Sequence, residues 1–145
     1  WTWAPMQEAD LDRVMAIERD AHPTAWPRGL FVSELRLSWA RLRVLRCGGQ
    51  VEGYVDYWHV DEEIHILNIA VARALRGQGG GGFLLDRVRA DALALGAEII
   101  SLEVRWNNEG AIRLYERLGF RSHGRRRGYY LDTGEDALFM VWELN

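Results

Sequence analysis

The chain has 145 residues, 48% of them hydrophobic and 27% charged, with a formal net charge of −3. That is the length of one domain, 1–145, and such a chain buries roughly 68–70% of its unfolded surface without a disulfide or metal staple. A single cysteine, Cys47, excludes an internal disulfide and a thiolate zinc site, and the charge balance fits neither a basic nucleic-acid coat nor an acidic disordered tail. With no apolar run of about 18 residues and no leader pattern at Trp1-Thr2-Trp3, a cytoplasmic globular domain is expected.

A first strand precedes an acidic turn at Glu8 and Asp10. Leu11, Val14, Met15, Ile17 and Ala21 then carry a helical period, which Pro23 and Pro27 break. A second helix starts after Pro27 with Leu30, Phe31, Leu35 and Leu37 as its apolar residues. From Leu42 to Val60 the period becomes two, with turns predicted at Gly48-Gly49 and at Asp61-Glu62-Glu63. Ile64 to Val71 is a nearly continuous apolar run, which predicts a strand buried on both faces. Six residues, Gly77-Gln78-Gly79-Gly80-Gly81-Gly82, follow, and Phe83, Leu84, Leu85, Val88 and Leu93 mark a helix that stops at Gly96. Ile99 to Val104 is the next strand, and Gly110 to Leu118 a short helix closed by Gly119. Phe120 to Tyr130 and Ala137 to Leu144 read as a last hairpin around Asp132-Thr133-Gly134. Strands and helices in this order predict a mixed-sheet α/β domain.

A strand entering glycines and then a helix presents unpaired backbone N–H groups at the positive end of a helix dipole, an anion site suited to phosphate. Three phosphate patterns compete for the segment. The P-loop fails, because Phe83 follows Gly82 where Lys-Ser/Thr is required. The dinucleotide pattern G-x-G-x-x-G is met by Gly77, Gly79 and Gly82, with Glu103 beyond. Too few parallel strands can follow to complete that fold, though, since the chain ends in an antiparallel pair. The third pattern, R-x-x-G-x-G, is met by Arg76, Gly79 and Gly81.

That pattern, after Leu67-Asn68-Ile69-Ala70-Val71, resembles the acyl-CoA-binding segment of the GCN5-related N-acetyltransferase superfamily. Ser101-Leu102-Glu103-Val104, Asn108, Ala111, Leu114-Tyr115 and Leu118-Gly119-Phe120 resemble the second half of the same signature. With Arg105, Glu116, Arg126, Tyr129-Tyr130 and the Ala21-His22 and Trp26 region, the chain is most similar to the bacterial ribosomal-protein-alanine N-acetyltransferases. The strong part covers about residues 64 to 130. The resemblance implies a single-domain α/β fold, a mixed, mostly antiparallel sheet splayed into a V with flanking helices. Two departures stand out: the family usually has an apolar residue at Gly80 and a polar or larger one at Gly82. Each extra glycine costs roughly 0.5–1 kcal/mol in a helix relative to Ala, which predicts a looser first turn.

The resemblance also assigns the chemistry. Acetyl transfer from a thioester to an amine needs a neutral amine, a stabilised oxyanion and a proton for the thiolate. Glu103 becomes the general base through water, and Tyr115 the acid. Acetyl-CoA is the co-substrate, held by Ile69, Ala70 and Val71 through their backbone, by Arg76, by Gly77, Gln78, Gly79, Gly80, Gly81 and Gly82, and by Asn108 and Tyr115. Trp26 and Tyr130 line the acceptor groove. The implied acceptor is a protein N-terminus, that of a ribosomal protein included. No metal, membrane or direct nucleic-acid partner is expected, and the chain is read as a monomer or weak dimer.

Plainer readings stand beside these. Glu103 can be a surface strand residue paired with an Arg, Tyr115 a core aromatic, and Asn108 an N-cap. His59 and His65 near Asp61, Glu62 and Glu63 suggest a metal weakly and a solvated turn better. Arg125-Arg126-Arg127 reads as a solvated edge or a substrate wall, and Cys47 as structural. All 18 basic residues are Arg; a coding bias explains this, as does an acyl-transfer enzyme without side-chain amines to modify. A lysine or small-amine acceptor, a silent acyl-CoA-binding module and a nicotinamide enzyme are the alternative functions.

Overall fold

The computed structural model describes residues 1–144. Its elements are β1 (Thr2–Pro5), α1 (Leu11–Ala21), α2 (Arg28–Leu35), β2 (Ala40–Cys47), β3 (Gln50–Val60), β4 (Glu63–Val71), α3 (Gly80–Ala94), β5 (Ile99–Arg105), α4 (Glu109–Leu118), β6 (Arg121–Arg126) and β7 (Ala137–Glu143). The strands form one sheet in the order β1-β2-β3-β4-β5-β7-β6. Every neighbouring pair is antiparallel except β4 and β5. Among the described residues no helix is long and apolar enough to cross a membrane.

Each face of the sheet buries its own cluster. On one, α1 and α2 cover Val44, Val51 and Tyr54 with Leu11, Val14, Ile17 and Phe31. On the other, Leu84, Leu85, Val88 and Ala92 of α3 pack on Val55, Tyr57, Ile64, Ile66, Ile100 and Leu102. The apolar spacing read from the sequence explains both.

The parallel pairing decides where a site can form. It joins Glu63 to Ile99 and ends at Ile66 and Leu102. Opposite this point the β3–β4 register slips, so that Asp56 pairs with Asn68 and Tyr57 with Ile66, leaving Leu67 as an extra residue. A bulge bends its strand and raises the local twist. Beyond it β4 and β5 separate, and the edge of residues 67–71 that faces β5 loses its partner strand. The V expected from the resemblance is therefore present, with this bulge at its point of opening.

Two expectations need correction. β4 is not buried along its whole length: Ile64 and Ile66 are buried on the α3 side and, past the Leu67 bulge, Ala70 on the α1 side, while the alternate residues from Glu63 to Val71 are half-buried. Leu67, Ile69 and Val71 line the opening of the V. The last hairpin is also far less regular than predicted. Its first strand ends at Arg126, and residues 127–136 form a loop. β6 is an exposed edge whose register breaks between Ser122 and Arg125, around Gly124 at φ +129°. The loop is tied instead by carboxylates. Asp136 accepts from the Gly128 amide at 2.8 Å and the Arg125 Nε at 2.7 Å. Asp132 and Glu135 hold Arg105 at 3.0 Å each.

Gly119, after α4, is required by its surroundings. Its φ is +130°, and a Cβ there would lie 2.5 Å from the Trp142 Nε1. The bare backbone lets Phe120 reach both Trp142 and Tyr115, with ring centroids 5.3 and 5.6 Å apart. This aromatic stack fixes Tyr115 of α4 against the sheet.

Candidate active site

A cavity of about 1070 Å³ fills the V, bounded by β4, the glycine turn, the start of α4, the end of β5 and the 127–136 loop. All but one of the residues expected at the site line it; Gln78 does not. Gln78 is exposed, and its amide is bonded to the Leu75 carbonyl.

On the glycine side, Gly77 and Gly79 take φ values of +75° and +87°, which only glycine adopts freely. The first helical bond of α3 runs from the Phe83 amide to the Gly79 carbonyl at 2.9 Å. Geometry then leaves the amides of Gly80, Gly81 and Gly82 without helical acceptors, directed at the cavity end. Two of these positions are closely packed. A Cβ at Gly80 would sit 3.1 Å from the Val71 Cγ1, and one at Gly81 3.0 Å from the Leu114 Cδ2. Gly82 alone of the three has open space around it.

Arg76 borders the cavity, but its guanidinium bonds Asp20 at 3.1 Å, and Arg73 bonds the same carboxylate at 2.6 Å. The Arg73 hydrogen bond, more than the neighbouring charges, holds the Asp20 carboxyl below its ordinary range. The cation expected for phosphate is therefore shared with an acid from α1. Asn108 caps α4, its Oδ1 accepting from the Ala111 amide at 3.3 Å. The plain reading of Asn108 is realised, and among the described residues its side-chain NH2 group has no partner.

Glu103 lies on β5 one residue past the last parallel pair. Its side chain is 11% exposed. One oxygen faces the His65 Nε2 at 3.1 Å, and the other faces the Arg126 Nε at 3.4 Å. His65 continues the chain, with Nδ1 2.8 Å from the Oγ of the fully buried Ser101. This arrangement fits one tautomer, with Nε2–H donating to Glu103 and Nδ1 accepting from Ser101. The expectation that His65 belongs to a solvated turn is thereby corrected. Its parallel register with Ser101 puts it on the Glu103 face, a long-range fact that local sequence does not carry.

Tyr115 is 8% exposed, and burial pushes its phenol up to about 12. It stays protonated across the physiological range and can donate. Beside Glu103 a second hollow, about 460 Å³, is walled by Trp26, Trp58, Tyr129 and Tyr130. Burial likewise raises Tyr130 to about 12, against the opposing effect of Arg105, whose guanidinium lies 3.9 Å from the ring centroid. Trp26 and Tyr130, expected on an acceptor groove, both line this hollow, together with Trp58, which the sequence did not single out.

A buried polar network backs the cleft from α1. Glu18, 1% exposed, accepts from Tyr54, from the Asn68 Nδ2 at 2.8 Å and from the Trp26 amide at 2.9 Å. His22 meets the Asn68 Oδ1 at 3.0 Å. A Glu within an apolar helical period was the available signal, because such a residue needs buried partners.

A strand–glycine turn–helix, a splayed parallel pair and a carboxylate at the opening make an arrangement built for acyl transfer. Residues 11–120 match the Acetyltransferase (GNAT) family. The chain belongs to that family. It is similar to a putative [ribosomal protein bS18]-alanine N-acetyltransferase of Bacillus subtilis, 35% identical over 97% of this chain and 93% of that one. It is 32% identical to the [ribosomal protein bS18]-alanine N-acetyltransferase of Escherichia coli, covering 97% of this chain and 95% of the other. The crystal structure of the ribosomal-protein-S18-alanine N-acetyltransferase from Escherichia coli superposes with a TM-score of 0.91, covering 99% of this chain and 94% of that one at 32% identity. This GNAT chain is an acyltransferase.

Proposed function

We propose that this GNAT enzyme moves the acetyl group of acetyl-CoA to the α-amine of a protein N-terminus, of the ribosomal-protein alanine type, within a ternary complex. The observation that carries the reading is the position of Glu103. It stands at the mouth of the V between the glycine turn and the aromatic hollow, held by His65 and Arg126. The names of the two bS18-alanine relatives support the choice of acceptor.

Acetyl-CoA supplies the thioester; the chain supplies the rest. The Gly80–Gly82 amides receive the pyrophosphate, and the unpaired edge of residues 67–71 offers ladder bonds to the pantetheine amides. Backbone amides on the same edge stabilise the oxyanion. Glu103 takes the amine proton through water, each of its oxygens keeping a lone pair beyond its bond to His65 or Arg126. Tyr115 protonates the departing thiolate. A free α-amine, with a reference pKa of about 7.7–8.0 against about 10.4 for lysine, demands only a modest base. Cys47 is exposed on the far end of β2 and takes no part.

A conjugate joining CoA through an acetyl bridge to the α-amine of an Ala-initiated peptide tests the geometry. By calorimetry it is expected to bind at least about a hundredfold more tightly than CoA, as a mimic spanning both substrate sites does. A lysine-ε-linked conjugate binding equally well would contradict the α-amine assignment.

A further inference from the structure

One buried pair of acids lies behind the aromatic hollow and has no part in the chemistry described. Asp56, in the middle of β3, is fully buried, and its two carboxyl oxygens receive no conventional donor. Glu34, on the inner face of α2, is 5% exposed and faces it. Two adjacent carboxylates cannot both stay ionised away from water, and one shared proton relieves the conflict. Burial first, then the hydrogen bond and charge of Glu34, push the Asp56 carboxyl up to about 9. Glu34 in turn accepts from the Trp58 indole, Nε1 to Oε1, at 2.7 Å.

Trp58 follows Asp56 by two residues and shares its face of β3. It walls the hollow that contains Glu103, and Trp39 packs edge-on behind it with ring centroids 6.3 Å apart. The other titratable groups on this face come from α1 and β4. Glu18 and His22 are both bonded to Asn68, the cross-strand partner of Asp56, and His65 is the partner of Trp58. From β2 the residue opposite Asp56 is Leu42, while Arg41 is engaged by Asp91 of α3. Among the described residues, no arginine or histidine forms an ion pair with Asp56 or Glu34 that would serve in place of the shared proton.

We propose that the Asp56–Glu34 acid–carboxylate pair is a positioning device for the acceptor: its shared proton keeps Glu34 on the Trp58 indole, and Trp58 forms the wall on which the first residues of an acceptor peptide pack. This rests on the reading of the hollow as the acceptor site. Loss of the proton puts a second charge against Glu34, the α2 contact loosens, and the wall loses its fixed orientation. The effect falls on acceptor binding and not on acetyl-CoA, whose glycine turn lies across the V. In stability the sign is the same. The folded chain keeps this proton above the range where an unfolded Asp releases it, so the contribution is full below the ordinary carboxylate range and is lost as pH rises through about 9.

Steady-state kinetics with an Ala-initiated, lysine-free peptide test this between about pH 8, where the acceptor amine is already largely free, and about pH 10. The wild-type acceptor KM is expected to rise about tenfold across that interval, the factor for one pH unit beyond the ionisation, with the acetyl-CoA KM flat. Asp56→Asn supplies an amide N–H in place of the proton and cannot ionise, so its acceptor KM is expected to stay flat. Glu34→Gln, which removes the charge from the other side, gives the same flat profile. Parallel profiles for wild type and Asp56→Asn overturn the proposal, as does a change confined to kcat. Trp58→Ala separates the two layers. A raised acceptor KM upholds the assignment of the hollow, whereas an unchanged one overturns that assignment and the proposal with it.

Discussion

Glu103→Gln is expected to lower turnover by about two to four orders of magnitude near pH 7, the usual worth of a positioned general base. The loss is expected to shrink as pH rises past about 8, because the acceptor α-amine then loses its proton to solvent unaided. Gln keeps the side chain's shape and an acceptor oxygen for the His65 Nε2, which lies 3.1 Å from the carboxylate. The fold and the acetyl-CoA affinity should therefore survive, and calorimetry of acetyl-CoA binding checks this. A loss of the same size at every pH would mean that Glu103 orients the acceptor without accepting its proton.

Tyr115→Phe tests the opposite proton. The expected result is a kcat lowered by about two orders of magnitude or more, with acetyl-CoA affinity within about twofold of wild type. The ring contributes the packing, 8% exposed and 5.6 Å from the Phe120 centroid, and phenylalanine retains it. The phenol, raised to about 12 by burial, is protonated at every pH where the assay runs. Its loss should therefore be uniform with pH, unlike the loss at Glu103. An equal fall in acetyl-CoA affinity would reassign Tyr115 to binding.

The segments proposed to hold the donor were legible because their chemistry is local. A continuous apolar strand, positive-φ glycines before a helix and an N-cap at Asn108 each follow from a few adjacent residues. The family resemblance then ordered Glu103 and Tyr115 around them. Of the hollow proposed for the acceptor, only Trp26 and Tyr130 were legible, since its other members meet across the sheet. His65 meets Glu103 through parallel pairing that lasts four residue pairs. Trp58 takes its orientation from Glu34, 24 residues away in sequence. Tyr129 and Tyr130 were read as part of a strand. They belong instead to a loop held by Arg105, Asp132, Glu135 and Asp136, with carboxylate–arginine pairs in place of a ladder. Arg76 shows the converse limit: the motif singled out a residue that does line the cavity, but a long-range acid, Asp20, takes its guanidinium.

The bulge at Leu67 links fold to activity. The β4–β5 pairing ends beside it, which frees the backbone edge proposed to bind the donor and leaves Glu103 just past the opening. The same sheet carries Trp58 on β3 to the hollow beside Glu103, so the proposed donor and acceptor sites depend on one register.

The most direct measurement is thiol release from acetyl-CoA with two peptides, one bearing a free Ala N-terminus and no lysine, the other a blocked N-terminus and an internal lysine. Release with the first peptide alone is the predicted result. Release with the second alone would contradict the account and move the acceptor to a lysine side chain.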